Sequence, residues 1–291
     1  MNSLLKLVFI IVATNAGGEG KTMLAQLLKA LWFIAGQPVE TLDADAGNRA
    51  VRSSDSAVRP VGWGVQTSVA PEIVATLLGN HVILDLGANA LASKREIADL
   101  VPALRQQFAA ADYRCLALMP ISTNKLGAGG SLMGLADELE GFEKIGVRVN
   151  RDASGNYDPE FSPAACVELG HLSPGYQEYI RKFGGSLAEA VLNPPPGYRI
   201  AASQVGHWML QFLKQPLIAD LFGPRPADLI RQAYPEQPHR TSFQVLHLSD
   251  VTDEALIENA RKSKILKGIT GQGWTAEGLR AVADKIDDGA L

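Results

Sequence analysis

The sequence predicts an α/β protein with a doubly wound, mostly parallel sheet flanked by helices and a mainly helical C-terminal extension. Three observations predict this class. Short apolar runs alternate with helical patterns through the first half of the chain. The runs are apolar almost throughout, which is typical of parallel strands that are covered on both faces. The first run leads directly into a glycine-rich loop and then into an amphipathic helix.

Strands and helices of the first half follow from these runs. Strands are expected at Leu7–Thr14, Val39–Asp43, Val82–Leu86, Tyr113–Ile121 and Ile145–Asn150. Helices are expected at Lys21–Ile34, Pro71–Leu78, Ser93–Ala110 and Ser131–Leu139. Ser93 and Glu96 have the spacing of a capping box, and Pro102 is a candidate break in the helix that they begin.

The second half reads as mainly helical. Helices are expected at Pro174–Val191, Ala202–Leu213, Thr252–Leu266 and Thr275–Ile286, with one further strand at Phe243–Leu248. We place a domain boundary near residue 215, which divides the chain into a sheet domain, residues 1–214, and a helical extension, residues 215–291.

Composition limits the class of protein. The 291 residues carry 27 Lys and Arg against 31 Asp and Glu, a net charge of −4, so the chain is not a globally basic nucleic-acid coat. Two cysteines provide no disulfide framework, which predicts a cytoplasmic protein. The longest apolar run, residues 4–13, is too short to span a bilayer, so no transmembrane segment is expected.

Residues 13–22, ATNAGGEGKT, carry the strongest functional signal. Glycines let backbone N–H groups converge on phosphate oxygens, and the N-terminus of the following helix adds partial positive charge. Lys21 is expected to reach the β- and γ-phosphates of ATP, and the Thr22 hydroxyl is expected to bind Mg²⁺. The predicted nucleotide-binding residues are Asn15, Ala16, Gly17, Gly18, Glu19, Gly20, Lys21, Thr22 and Met23. The alternative is a glycine-rich turn with no ligand.

This loop resembles the deviant Walker A motif of the ParA/MinD family of P-loop ATPases. Asn15 stands where the general P-loop pattern has its first glycine. In the family, a signature lysine precedes the double glycine and crosses the interface of a nucleotide-sandwich dimer. Ala16 occupies that position here, so the resemblance does not include the residue on which the dimer mechanism depends.

Two carboxylates support the same interpretation. Residues 41–48, TLDADAGN, resemble the family segment that ends its second strand, which implies that Asp45 lies beside Mg²⁺ and the attacking water. The alternative is a turn built from Asp and Gly. Residues 81–87, HVILDLG, fit a Walker B strand, in which Asp85 helps to hold Mg²⁺.

The base of the nucleotide is indicated by two weaker patterns. Asn150 ends an apolar strand and resembles the family residue that reads adenine, although it is equally a turn residue. Residues 122–127, STNKLG, are similar to the guanine motif of GTPases, but Gly127 stands where that motif has its carboxylate. The two patterns together favour ATP over GTP.

Three functions remain open on these residues. The resemblance implies a ParA/MinD-like ATP-dependent switch in plasmid partition, conjugative transfer or protein positioning, with slow, partner-stimulated hydrolysis. Such a switch implies that the chain binds a partner protein, forms a homodimer and binds DNA nonspecifically. The basic cluster at residues 261–267 suits DNA, but it also suits the C-terminal dipole of a helix. The alternatives are a dethiobiotin-synthetase-like metabolic enzyme and a degenerate nucleotide-binding scaffold.

Overall fold

The described residues form a parallel sheet of seven strands in the first compact unit of the chain, Met1–Pro235. The computed structural model describes residues 6–44, 59–60, 69–182 and 186–235. The strand order is β3-β2-β4-β1-β5-β6-β7, and every neighbouring pair is parallel. The strands are β1 Val8–Val12, β2 Val39–Asp43, β3 Arg59–Pro60, β4 His81–Asp85, β5 Arg114–Ser122, β6 Glu143–Val149 and β7 Cys166–Leu169. The predicted α/β class with a parallel sheet is confirmed.

Helices cover both faces of this sheet. In the described residues they are α1 Lys21–Ala35, α2 Ala70–Ala75, α3 Ala90–Ser93, α4 Arg95–Ala110, α5 Ala128–Glu138, α6 Pro174–Lys182, α7 Leu187–Leu192, α8 Arg199–Leu213, α9 Pro216–Phe222 and α10 Arg225–Ala233. Among these helices, none is long and apolar enough to cross a membrane.

Strand β1 shows why the apolar runs are continuous. Val8, Ile10 and Val12 belong to a core with α1 and the later helices, whereas Phe9 and Ile11 belong to a second core with α2, α4 and α5. All five side chains are therefore buried although neighbours in a strand point to opposite faces. A strand that is covered on both sides has no polar positions, which produces the continuous run in the sequence.

Some predicted boundaries were wrong for local reasons. Ser93 does not cap the long helix, because it ends α3 and the extended residue Lys94 precedes α4. Helix α4 continues through Pro102, whose side chain is exposed to solvent. The single helix expected at Pro174–Val191 is two helices, and the Ser186 hydroxyl caps the second by accepting the Glu189 N–H at 3.2 Å.

Contacts between helices show how far the first compact unit of the chain extends. Helices α9 and α10 pack against α1, and the first compact unit of the chain is Met1–Pro235. It therefore continues past the predicted boundary at residue 215. The strand and helices expected beyond residue 240, and the basic cluster at 261–267, lie outside the described residues.

Helix α5 provides a paired test of close packing. A Cβ on Gly129 would lie 2.6 Å from the backbone nitrogen of Phe161 and 2.9 Å from Cγ of Asp158. A Cβ on the exposed Gly134 would meet nothing within 4 Å. We expect Gly129→Ala to lower the free energy of unfolding by about 2 kcal/mol through overpacking. Gly134→Ala should raise it by about 0.8 kcal/mol, because Ala favours the helix.

Urea unfolding of the two variants measures this difference. The substitutions are chemically identical and lie on the same helix, so helix propensity affects both in the same direction. Equal stabilities for the two variants would contradict the packing described for Gly129.

Candidate nucleotide-binding site

A glycine-rich loop joins the central strand β1 to helix α1. Gly18 and Gly20 have φ angles of 77° and 88°, in the left-handed region that glycine adopts without strain. A Cβ on Gly20 would also lie 3.0 Å from Cγ1 of Val149, so the loop packs closely on the end of β6. In the described residues, α1 has no side-chain cap and no acidic residue in its first turn. Its first N–H groups are therefore suited to an anion.

The loop forms one wall of a cavity of about 530 Å³. That wall consists of Gly17, Gly18, Glu19, Gly20, Lys21, Thr22 and Met23. The remaining lining includes Asn150, Leu169, Leu172, Gln177 and Trp208. The structure thus brings most of the predicted nucleotide-binding residues together with Asn150. Apolar side chains and side-chain amides lie across the cavity from the backbone of the loop.

Lys21 folds back across the loop. The residue is only 8% exposed, and its Nζ donates a hydrogen bond to the Ala16 carbonyl at 3.3 Å. Thr22 follows as the second residue of α1 and is half-buried. Both side chains therefore lie at the N-terminus of α1, where a phosphate chain gains most from the helix dipole.

Two buried carboxylates lie at the same edge of the sheet. Asp85 ends β4 and Asp43 ends β2, and their Cα atoms are direct partners in the register. They are 2% and 4% exposed. Strand β4 is also the neighbour of β1, so Asp85 lies beside the strand that leads into the loop. Asp43 was missed as a site residue because the sequence analysis selected Asp45, which lies outside the described residues.

Thr22, Asp43 and Asp85 carry the hydroxyl and carboxylate oxygens that Mg²⁺ prefers as protein ligands. Within the described residues, no group of three or more His, Cys, Asp or Glu side chains could hold a metal. A magnesium ion here would therefore take its remaining ligands from phosphate and water, which is usual for this ion.

The far wall of the cavity comes from the second half of the chain. The Trp208 indole donates to the Gly170 carbonyl at 2.7 Å, and the Gln177 amide donates to the Leu172 carbonyl at 2.7 Å. The Asn150 backbone N–H donates to the Leu169 carbonyl at 2.9 Å, which fixes this residue at the end of β6. Of the residues in this wall, only Asn150 belongs to a pattern that the sequence shows, because no motif marks the others.

Asn15 and Ala16 lie apart from this cavity. Both line a second cavity of about 330 Å³, together with Lys125 and Ser131. The Asn15 amide donates to the carbonyl and the hydroxyl oxygen of Ser131, at 2.7 and 2.9 Å. Its side chain therefore ties the start of the loop to α5.

The structure gives Glu19 a role that the sequence did not suggest. Its side chain is buried, and Oε2 accepts the backbone N–H and the hydroxyl of Ser122 at 2.6 and 2.7 Å. Glu19 therefore joins the loop to the end of β5.

A parallel sheet with a glycine-rich loop between its central strand and the following helix defines the fold of a P-loop nucleoside triphosphatase. Similar solved structures include the signal recognition particle receptor FtsY from Elizabethkingia anophelis, at 15% identity and a TM-score of 0.42. That match covers 58% of this chain and 61% of the FtsY chain, so this chain spans less than two thirds of its length.

A second similar structure is apo McdA from Cyanthece, at 14% identity and a TM-score of 0.37. The match covers 78% of this chain and 99% of the McdA chain. No protein-family model matches the sequence, and no curated protein matches it.

Proposed function

We propose that this protein binds ATP with Mg²⁺ in the 530 Å³ cavity and acts as an ATP-dependent switch of the ParA/MinD type. One observation carries the proposal: a single cavity joins the glycine loop and the N-terminus of α1 to a mixed wall that includes Asn150 and Trp208. The loop suits a polyphosphate, and the wall suits a purine.

The proposed chemistry uses the charged and polar groups that the sequence assigns to this site. Hydrolysis is in-line attack of water on the γ-phosphoryl group, and Lys21 neutralises charge that develops on the phosphate oxygens. Thr22 and Asp85 would hold Mg²⁺, which supplies further charge neutralisation when bound. Asp45 stays the residue that we expect to orient the water. Hydrolysis is slow in this proposal because Ala16 supplies no second cation.

Partners belong to the same proposal. A switch needs a protein that responds to its nucleotide state, and in this family nonspecific DNA and a second copy of the chain are the other partners. The action would be in DNA partition, conjugative transfer or protein positioning, in the cytoplasm.

One observation favours a second candidate, a metabolic enzyme of the dethiobiotin-synthetase type. The 330 Å³ cavity lies on the Ala16 side of the loop and has polar lining from Asn15, Lys125 and Ser131. A small acceptor bound there would lie next to the phosphate loop. This candidate predicts that turnover requires a small-molecule acceptor, whereas a switch hydrolyses ATP without one.

Light scattering with Mg²⁺ and ATP, ADP or no nucleotide tests the proposal, with bound nucleotide measured in the same samples. We expect ATP to bind and to change the mass of the particle relative to ADP. Binding without a change of mass would favour the metabolic enzyme. If neither nucleotide binds, the proposed function is wrong and a nucleotide-free scaffold remains.

A further inference from the structure

Two cations that follow other strands of the sheet donate hydrogen bonds to carbonyls of the glycine loop. Lys125 lies in the loop after β5, and its Nζ donates to the Gly17 carbonyl at 3.4 Å. Arg151 is the second residue after β6, and its guanidinium donates to the Gly18 carbonyl at 2.7 Å. Two successive carbonyls of the loop are therefore held by charged donors, which form stronger hydrogen bonds than neutral ones.

Because the peptide bond is planar, holding a carbonyl also determines the direction in which the next backbone N–H points. No described peptide bond is cis, and in a trans peptide the C=O of one residue and the N–H of the next point to opposite sides. A carbonyl of Gly17 that is held outward turns the N–H of Gly18 away from Lys125. The Gly18 carbonyl is held by Arg151, which lines the 530 Å³ cavity, so this second contact fixes the loop without turning the Glu19 N–H toward that cavity.

We propose that Lys125 is a positioning residue that orients the Gly18 amide toward the phosphates of the nucleotide. The inference rests on the proposed function, because it assigns this amide to a polyphosphate ligand. Preset amides need no reorganisation when the anion binds, so the affinity of the loop for phosphate rises.

The buried Glu19 carboxylate gives Lys125 a second role, which is to balance a negative charge in the loop. Its carboxylate is 1% exposed, so a negative charge is buried directly in the phosphate-binding loop. The Lys125 ammonium lies 3.7 Å from Oε1 of Glu19, and Ser122 donates two hydrogen bonds to Oε2. An anion in the cavity would otherwise be repelled by this carboxylate.

Lys125 provides a clean test because it is not part of the lining of the 530 Å³ cavity. It lines the 330 Å³ cavity on the other side of the loop. Arg151 lines the larger cavity itself, so loss of its side chain could act directly on the nucleotide. An effect of Lys125 on nucleotide affinity must act through the loop or through its charge.

Calorimetric titration with ATPγS and Mg²⁺ measures the effect. We expect Lys125→Met to weaken binding about tenfold, the effect of losing one charged hydrogen bond. Lys125→Arg keeps a charged donor and should restore most of the affinity. Lys144→Met is the control, because Lys144 lies near the start of β6, at the opposite edge of the sheet from the loop. This variant removes the same charge and should leave the affinity unchanged.

A double variant separates orientation from charge. Glu19→Gln with Lys125→Met removes one charge of each sign and keeps an oxygen acceptor for Ser122. We expect binding to stay weak in this variant. If the double variant regains the affinity of the unmodified protein, charge alone explains the effect and the inference is overturned, as it also is if Lys125→Met binds normally.

Amide resonances of the nucleotide-free protein provide a readout that does not depend on nucleotide binding. We expect Lys125→Met to shift the Gly18 amide signal, with Lys144→Met as the unchanged control. An unshifted Gly18 signal overturns the inference. If the unmodified protein binds no ATPγS while the Gly18 signal shifts as expected, the proposed function fails and the orientation of the loop stands.

Discussion

Lys21→Ala is expected to weaken ATP binding at least about a hundredfold, because it removes a charged donor at the N-terminus of α1, where the phosphates are expected. Lys21 lies at the first position of α1, and its ammonium already lies against the Ala16 carbonyl of the loop. An amine in this place gains a charge-assisted contact with phosphate that water does not replace. Calorimetric titration of ATPγS with Mg²⁺ measures the loss.

Lys29→Ala is the matched control for this substitution. Lys29 lies on the same helix, roughly 12 Å further along its axis, so the change in charge is equal and the distance from the loop is large. We expect the control to bind ATPγS as the unmodified protein does. If Lys21→Ala binds ATPγS normally while it keeps its fold, the assignment of residues 13–22 as a phosphate loop is wrong.

The second large effect is a loss of stability in mild acid caused by His81. This residue begins β4, and its fully buried ring stacks on Trp32 with centroids 4.5 Å apart. Among the described residues, neither ring nitrogen has a hydrogen-bond partner. Burial lowers the pKa of His81 from 6.5 to about 4, because the protonated ring has lost its hydration.

The direction of the pH dependence follows from this difference in pKa. Between pH 6.5 and pH 4 the unfolded chain binds a proton on His81 and the folded chain does not, so stability falls as pH decreases through this window. We expect the free energy of unfolding to be about 3 kcal/mol lower at pH 4 than at pH 7 from this residue alone.

Urea unfolding from pH 4 to pH 7 measures the slope, and His81→Phe is the control. Phenylalanine can stack on Trp32 but does not titrate, so the variant should show a flatter dependence on pH. Carboxylates contribute to both proteins below pH 5, and the comparison removes their share. Parallel curves for the two proteins would show that His81 is not the cause.

Local sequence was sufficient for the centre of the fold. Three contiguous segments each carry their own signal in the sequence. The apolar run predicts the buried strand Val8–Val12, the glycines predict the loop with positive φ angles, and the apolar face predicts helix α1. The bounds of β2 were also predicted without error, and its last residue is Asp43. Strand β7 was missed because it has four residues, in which only Val167 and Leu169 are buried.

Other errors came from competition between neighbouring signals. The sequence around Ser93 has the spacing of a capping box, but Ser93 is the last residue of the short helix α3. Lys94 therefore occupies the N-cap position of α4. Pro102 was treated as a break, yet its exposed position lets the helix continue. In each case the surrounding structure decided between two allowed conformations.

The sequence by itself determined the class of the fold, the glycine-rich loop and the strand that contains Asp85, because those features depend on residues close together in the chain. Only the tertiary structure brought Gln177 and Trp208 to the same cavity, and only it placed Lys125 against the loop. The order of the sheet sets β5 beside β1 and β6 beside β5, so loops more than a hundred residues apart meet at one edge. Such pairings depend on the packing of both faces, which no short stretch of sequence specifies.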